Sequence, residues 1–339
     1  SKETNNGITN VNKVIVDEPK DDWSGWLKEA IENEHINSYI YSDFKITQKI
    51  GSGGSGEVCK AIYNNSIIFA LKSYKHGITH MKEVTNELKL LRKVDYHQNI
   101  IHFYGEYLLV LEYADSGTLR DYLQEKAESI SWDLKLKFAS EIASAVSCLH
   151  ENNIIHRDLN FLVHQKTIKL VDFGLSRKIR ESTTTSTFQV AGIVPYIDPQ
   201  CFKINDNKVY KPNKKSDVYS VGVLLWELSS NRPPFSNLDQ VQQRTLHFHI
   251  SQGIREEPIP NTPDEYVNLY NECWEDDPKN RPDIQYVETM LGKISGSSVV
   301  DIVDEQQKNV DGSSFGHPSI ISTGPTTINF LQIPLDSGP

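Results

Sequence analysis

Residues 156–174 read His156-Arg157-Asp158-Leu159-Asn160-Phe161-Leu162-Val163-His164-Gln165-Lys166-Thr167-Ile168-Lys169-Leu170-Val171-Asp172-Phe173-Gly174. A β-hairpin is predicted between the two motifs, with His156-Arg157-Asp158 ahead of it and Asp172-Phe173-Gly174 after it. Either charged tripeptide alone would be ordinary polar surface. Their order and their neighbours give them meaning.

Upstream, Phe44-Lys45-Ile46-Thr47-Gln48-Lys49-Ile50 alternates as a half-buried strand and runs into Gly51-Ser52-Gly53-Gly54-Ser55-Gly56-Glu57-Val58. Glycines at this spacing let a backbone approach phosphates closely. A strand follows rather than a helix, which disfavours a dinucleotide-binding fold. Glu57–Ile62 and Ser66–Leu71 predict two more strands joined through Asn64-Asn65, and Lys72 follows in Ala70-Leu71-Lys72. His80–Val94 predicts a helix with Val84, Leu88, Leu91 and Val94 on one face and Glu87 inside it. Ile100–Tyr104 and Tyr107–Tyr113 read as strands separated only by Gly105-Glu106.

Beyond Gly117 the periodicity turns helical. Ser131 is the expected N-cap of a helix striped by Leu134, Phe138, Ile142, Val146 and Leu149. Ser216 is the expected cap of an apolar helix over Val218–Leu228, and Thr262-Pro263-Asp264-Glu265 reads as a capping box with Pro at the first helical position. Ile284–Ile294 supplies the last helix. The expected fold is α+β: a small antiparallel β lobe with one helix, then a larger, mainly helical lobe.

The ordered set GSGGSGEV, FALK, HRD, DFG, SDVYSVGVLLWEL and CWEDDPKNRP resembles the protein-kinase family, most closely its tyrosine-kinase-like group. The resemblance covers residues 44–294, with a β lobe over about 44–113 and a helical lobe over about 117–294. It implies ATP and Mg²⁺ bound between two lobes and a γ-phosphate transferred to protein Ser/Thr rather than Tyr. Gly51, Gly53 and Gly56 would cover the phosphates, with Ile50 at the start of that loop. Lys72 would hold phosphates and pair with Glu87. Val58, Ala70 and Leu162 would sandwich the adenine, with Leu111 as gatekeeper before the hinge Glu112-Tyr113-Ala114. Asp172 would hold Mg²⁺, and Asp158 would act as catalytic base. Ser182, Thr183, Thr184, Thr185, Ser186 and Thr187 would form an activation loop whose phosphate pairs with Arg157 and nearby Arg177, Lys178 or Arg180.

The family carries a metal-binding Asn five residues after the catalytic Asp. Here Asn160 stands at +2 and Val163 at +5, so the loop reads as three residues short. Three residues span up to ~10 Å of chain, so Asp158 and Asn160 are not expected to reach both usual places unless the flanking structure shifts. Ile193 stands where a Thr hydroxyl would contact the catalytic Asp. Gln200 replaces a Glu that would pair with Arg281, leaving at best a neutral–charged hydrogen bond. Two functions are therefore expected as alternatives: an active protein kinase, or a nucleotide-binding pseudokinase working as a scaffold or allosteric partner.

The whole chain has 339 residues, 38% hydrophobic and 24% charged, with 15 Tyr, 12 Phe and 5 Trp, enough for a sizeable core and too much for wholesale disorder. Its net charge is −10. Residues 1–43 carry 4 basic and 9 acidic side chains and residues 295–339 carry 1 and 5, so the acidity lies in the flanks. A nucleic-acid partner is not expected, because phosphate binding needs a basic footprint. No apolar run approaches the ~18 residues of a membrane span. Four dispersed cysteines without a CxxC pair favour free thiols in a reducing, cytoplasmic setting over a disulfide frame or structural zinc. His247 and His249 are close in sequence but have no Cys or carboxylate cluster beside them, so they read as structural. The partner implied is a protein substrate or signalling protein. Trp23–Ile36 is a short amphipathic helix candidate within the acidic flank 1–43, and residues 295–339 read as a flexible Ser/Gly/Pro-rich tail. The chain opens on Ser1 with no signal peptide before the first motif, so a fragment or processed chain is expected.

Overall fold

The computed structural model describes residues 39, 41–52, 56–74, 81–105, 109–178, 192–203 and 210–306. The helix candidate Trp23–Ile36, Gly53 and the hydroxyl run Ser182–Thr187 lie outside the described residues.

The first lobe is an antiparallel sheet of β1 (Phe44–Ser52), β2 (Gly56–Tyr63), β3 (Ile67–Tyr74), β4 (Phe103–Gly105) and β5 (Leu109–Glu112), in the order β1-β2-β3-β5-β4. Asn64 and Asn65 both take positive φ (48° and 57°), the mirror-image turn whose twist suits a tight hairpin and which asparagine tolerates. Helix α1 (Met81–Val94) buries Leu88, Leu91 and Val94, as its apolar spacing predicts. The strand expected over Ile100–Tyr104 is shorter, because Ile100 and Ile101 serve a different partner. The Ile101 amide donates to the Leu170 carbonyl at 2.9 Å and the Leu170 amide to the Asn99 carbonyl at 2.7 Å, which stitches the first lobe to the second.

The second lobe contains α2 (Leu119–Glu125), α3 (Trp132–Glu151), β6 (Ile154–Ile155), β7 (Asn160–His164), β8 (Thr167–Val171), β9 (Arg177–Lys178), α4 (Lys214–Ser230), α5 (Gln240–Ser251), α6 (Asp264–Cys273) and α7 (Ile284–Gln306). β7 and β8 form the expected hairpin, turning on Gln165 and Lys166 at φ 49° and 57°. α4 is buried along almost its whole length, including Trp226. Gly222 permits this packing: a Cβ there would stand 2.8 Å from Cys273 Cβ.

Ser131 caps α3 as expected, accepting from the Leu134 amide at 3.3 Å. Other helix ends differ from the sequence reading. Asn213, not Ser216, caps α4. Ser216 is the third helical residue, and its hydroxyl accepts from the Asn213 amide in a reciprocal box. Thr262 does not cap α6, whose N-cap is Pro263 without a side-chain bond. α7 continues through Gln306, past Ser295 where the tail is expected to start. Extending an existing helix costs far less than nucleating one, and no proline intervenes before Pro318.

Candidate active site

A cleft of about 460 Å³ opens between the lobes. Ile50, Gly51, Gly56, Val58, Ala70, Lys72, Glu87, Leu111, Glu112, Ala114, Leu162 and Asp172 all line it, so residues spread over more than a hundred positions converge there. The β-sheet alternation explains the selection: Val58, Ala70, Lys72 and Leu111 share the face that looks into the cleft. A Cβ on Gly51 would make only ordinary contact with Val58 at 3.6 Å, so packing inside the sheet does not demand this glycine. A glycine there leaves room for close approach of a phosphate.

At the inner end, the Lys72 ammonium lies 2.9 Å from Glu87 Oε1 and 2.9 Å from Asp172 Oδ1. Burial alone would lower the Lys72 pKa, but the two carboxylates outweigh it and hold the group above its ordinary value. Burial would raise the Asp172 pKa; Lys72 and the Gly174 amide together hold it below its ordinary value. Asp172 has left-handed backbone (φ 65°), which aims its carboxylate at Lys72 while Phe173 plugs into the core.

Asp158 and Asn160 sit beside the cleft. Burial pushes the Asp158 carboxyl above its ordinary value, opposed by His156 and the Asn160 amide and reinforced by the nearby Asp172 charge. Asn160 opens β7 opposite Val171, next to Asp172, and its amide donates to the Asp158 carbonyl at 2.9 Å. The shortened loop thus closes on itself, with buried Leu159 as the only link between the two. Ile193 is half exposed and supplies no polar group to Asp158. Gly192, at φ +114°, brings its backbone there instead, and an added Cβ would lie 3.1 Å from Asp158 Oδ1.

Several supporting residues escaped the sequence reading. Asp217, fully buried on α4, accepts from the backbone amides of His156 (3.0 Å) and Arg157 (2.9 Å) and from the His150 ring (3.0 Å). It holds Arg157 in a left-handed conformation, φ 75°. Its place in SDVYSVGVLLWEL was visible, but its partners lie 60 or more residues away. Tyr196 is likewise clamped, donating to Glu227 at 2.5 Å and accepting from Arg120 at 2.8 Å. The expectation for Gln200 is corrected. Arg281 pairs with Asp198 through two bonds of 2.8 and 3.0 Å, while Gln200 donates to the Asp276 carbonyl at 2.7 Å. Ser176 is fully buried and donates to the His156 carbonyl, so it belongs to the frame of the loop.

A family model described as protein tyrosine and serine/threonine kinase matches residues 44–291. The chain belongs to the protein kinase family. A probable LIM domain-containing serine/threonine-protein kinase of Dictyostelium discoideum is 34% identical over 262 residues, 73% of this chain and 39% of that protein. Wall-associated receptor kinase-like 4 of Arabidopsis thaliana is 31% identical, with 76% of this chain and 37% of that protein covered. The tyrosine-protein kinase Abl of Drosophila melanogaster is 29% identical, with 80% and 17% covered. The kinase chain thus spans well under half the length of these relatives. Among the described residues, no helix is long and apolar enough to cross a membrane, and no group of three His, Cys, Asp or Glu side chains could hold a metal ion.

Proposed function

We propose that the domain from Phe44 to the end of α7 binds Mg-ATP and transfers its γ-phosphoryl group to a Ser or Thr hydroxyl of a protein, with acidic residues 1–43 and a Ser/Gly/Pro-rich tail on either side. The carrying observation is the Lys72 ammonium set 2.9 Å from both Glu87 and Asp172, which joins β3, α1 and the turn after β8 into one charged floor. The residues present fit a nucleotide. Ile50, Val58, Ala70 and Leu162 offer apolar walls for a base, and a cation and a carboxylate stand at the inner end. Lys72 would bind phosphate oxygens, and Asp172 would hold Mg²⁺, with Asn160 Oδ1 as a second ligand, since its bond to the Asp158 carbonyl uses only the side-chain NH2. Mg²⁺ supplies neutralisation of the phosphate charge when bound. Asp158 orients the acceptor hydroxyl and takes its proton as that oxygen bonds to phosphorus and the bond to the ADP oxygen breaks. Its raised pKa makes it a better proton acceptor than an ordinary aspartate.

A second reading is a nucleotide-binding pseudokinase serving as scaffold or allosteric partner. The single-residue link between Asp158 and Asn160 favours it, since Asn160 stands two residues after Asp158 and Val163, without a metal-binding group, stands at the fifth. A thermal shift with Mg-ATP beside a phosphotransfer assay, with an Asp172→Asn control, separates the two. Ligand at 100 times Kd stabilises by ~2.7 kcal/mol. A shift together with turnover lost in the control supports the kinase. A shift without control-sensitive turnover overturns it in favour of the pseudokinase, and no shift removes nucleotide binding from both.

Regulation by phosphate on the run Ser182–Thr187, read by Arg157, belongs to this proposal, and mass spectrometry of active protein finding that loop unmodified would count against it. A cytoplasmic setting is supported by the free thiols of Cys59, Cys148, Cys201 and Cys273.

A further inference from the structure

The five-stranded sheet carries an apolar patch on the face turned away from the cleft. An antiparallel sheet with one face in water alternates apolar and polar residues. Here the face turned away from the cleft carries Phe44, Ala61, Tyr63, Phe69, Leu71 and Val110, aligned by the cross-strand register. Its centre is buried: Ala61, Phe69, Leu71 and Val110 are all under 5% exposed. Ile46 and Ile67, in register with the same face, remain 48% and 41% exposed. Among the described residues of this cluster, the one contributed from outside the sheet is Tyr39, whose ring lies 5.2 Å from Tyr63, 5.5 Å from Phe69 and 5.8 Å from Phe44. One tyrosine ring cannot cover a sheet of strands eight or nine residues long.

The chain immediately before Tyr39 has the right chemistry. Trp23, Trp26, Leu27, Ala30 and Ile31 recur at the spacing of one helical face, while Lys28, Glu29 and Glu32 occupy the other. Only Asn37 and Ser38 separate Ile36 from Tyr39, so Ile36 lies within about 11 Å of it. Fourteen helical residues would measure about 21 Å, against about 26–30 Å for β1–β3. We propose that the segment Trp23–Ile36 docks as an amphipathic helix on the outer apolar face of its own sheet, with Tyr39 as its anchor. The acidic flank is then a structural part of the kinase domain.

Hydrogen exchange of the full chain tests this without reference to activity. The expected result is exchange across 23–36 at least tenfold slower than in a synthetic peptide of that sequence, at every protein concentration. A short isolated helix is marginal in water and gives no such protection. In the full-chain Trp26→Ser/Leu27→Ser variant, that protection is lost and amides of β2 and β3 exchange faster. Peptide-like exchange across 23–36 in the unaltered chain overturns the proposal. Protection that appears only as the protein dimerises also overturns it, because the occupant is then a second copy.

Discussion

Arg281 and Asp198 form a two-pronged ion pair that is almost completely shut off from water, 83 residues apart in the chain. Asp198 also accepts from the hydroxyls of Ser216 (2.8 Å) and Tyr210 (2.9 Å), so its lone pairs are well used. This cluster ties the segment following Gly192 to the start of α4 and to the run before α7. A buried pair adds little over an apolar replacement, but removing one partner strands a charge.

Asp198→Ala should therefore destabilise the domain by about 3–5 kcal/mol, read from the midpoint of urea unfolding. Gln200→Ala should cost about 1 kcal/mol, since it loses a neutral amide bond to a carbonyl. The double variant Asp198→Ala/Arg281→Met should recover part of the loss, because no unpaired charge is left behind. Equal losses for Asp198→Ala and Gln200→Ala would contradict the assignment.

Asp217→Ala should cost about 3 kcal/mol and lower any phosphotransfer together with stability, because two backbone amides and a histidine lose their acceptor at once. The local signature is the release of Arg157 from its positive φ, which faster amide exchange at residues 156–158 would report.

Asp158→Asn should give a higher Tm in the absence of ligand while cutting turnover by about 100-fold or more. The stability gain has a pH signature. A carboxyl whose folded pKa is raised holds its proton longer in the native state, so the unaltered protein loses stability as pH rises from 3.8 through the folded value. The advantage of the variant should accordingly grow over that window, stay level above it and vanish below it. An advantage that is constant with pH would show that the carboxylate is not the cause.

Gly192→Ala should destabilise by about 1–3 kcal/mol, since φ +114° is poorly accessible to alanine and the new methyl group meets Asp158 at 3.1 Å. Phosphotransfer should fall further than stability explains, because the displaced group is the carboxylate that would orient the acceptor. A variant with unaltered Tm and kcat would refute the contact.

Much of the fold was legible because its signals are local. Asn64-Asn65 sit between apolar runs and form the turn that asparagine favours, whereas Gln165 and Lys166 take the same positive φ without such a preference of their own. The α3 stripe from Leu134 to Leu149 needs only its own period. Cleft residues were legible as an ordered set of motifs, and the structure brings those it describes together. Helix α5 was not anticipated: its exposed surface includes Val241 and Phe248, so it lacks a clear apolar stripe. The caps of α4 and α6 were misplaced because Ser216 and Thr262 are good capping residues wherever they stand, and the chain path alone decides which residue leaves the helical conformation.

Chain order alone lays out the glycine turn, Lys72, Glu87, Asp158 and Asp172 in the succession that the kinase family shows. Turn preference and apolar period act between neighbours in the chain, so they are written there. Only the tertiary structure decided that Arg281 meets Asp198 instead of Gln200, that Asp217 holds the backbone ahead of Asp158, and that Asn160 turns back onto the Asp158 carbonyl. Those choices depend on distances of about 3 Å between groups that chain order leaves undefined, in a dry interior where charged groups must find partners.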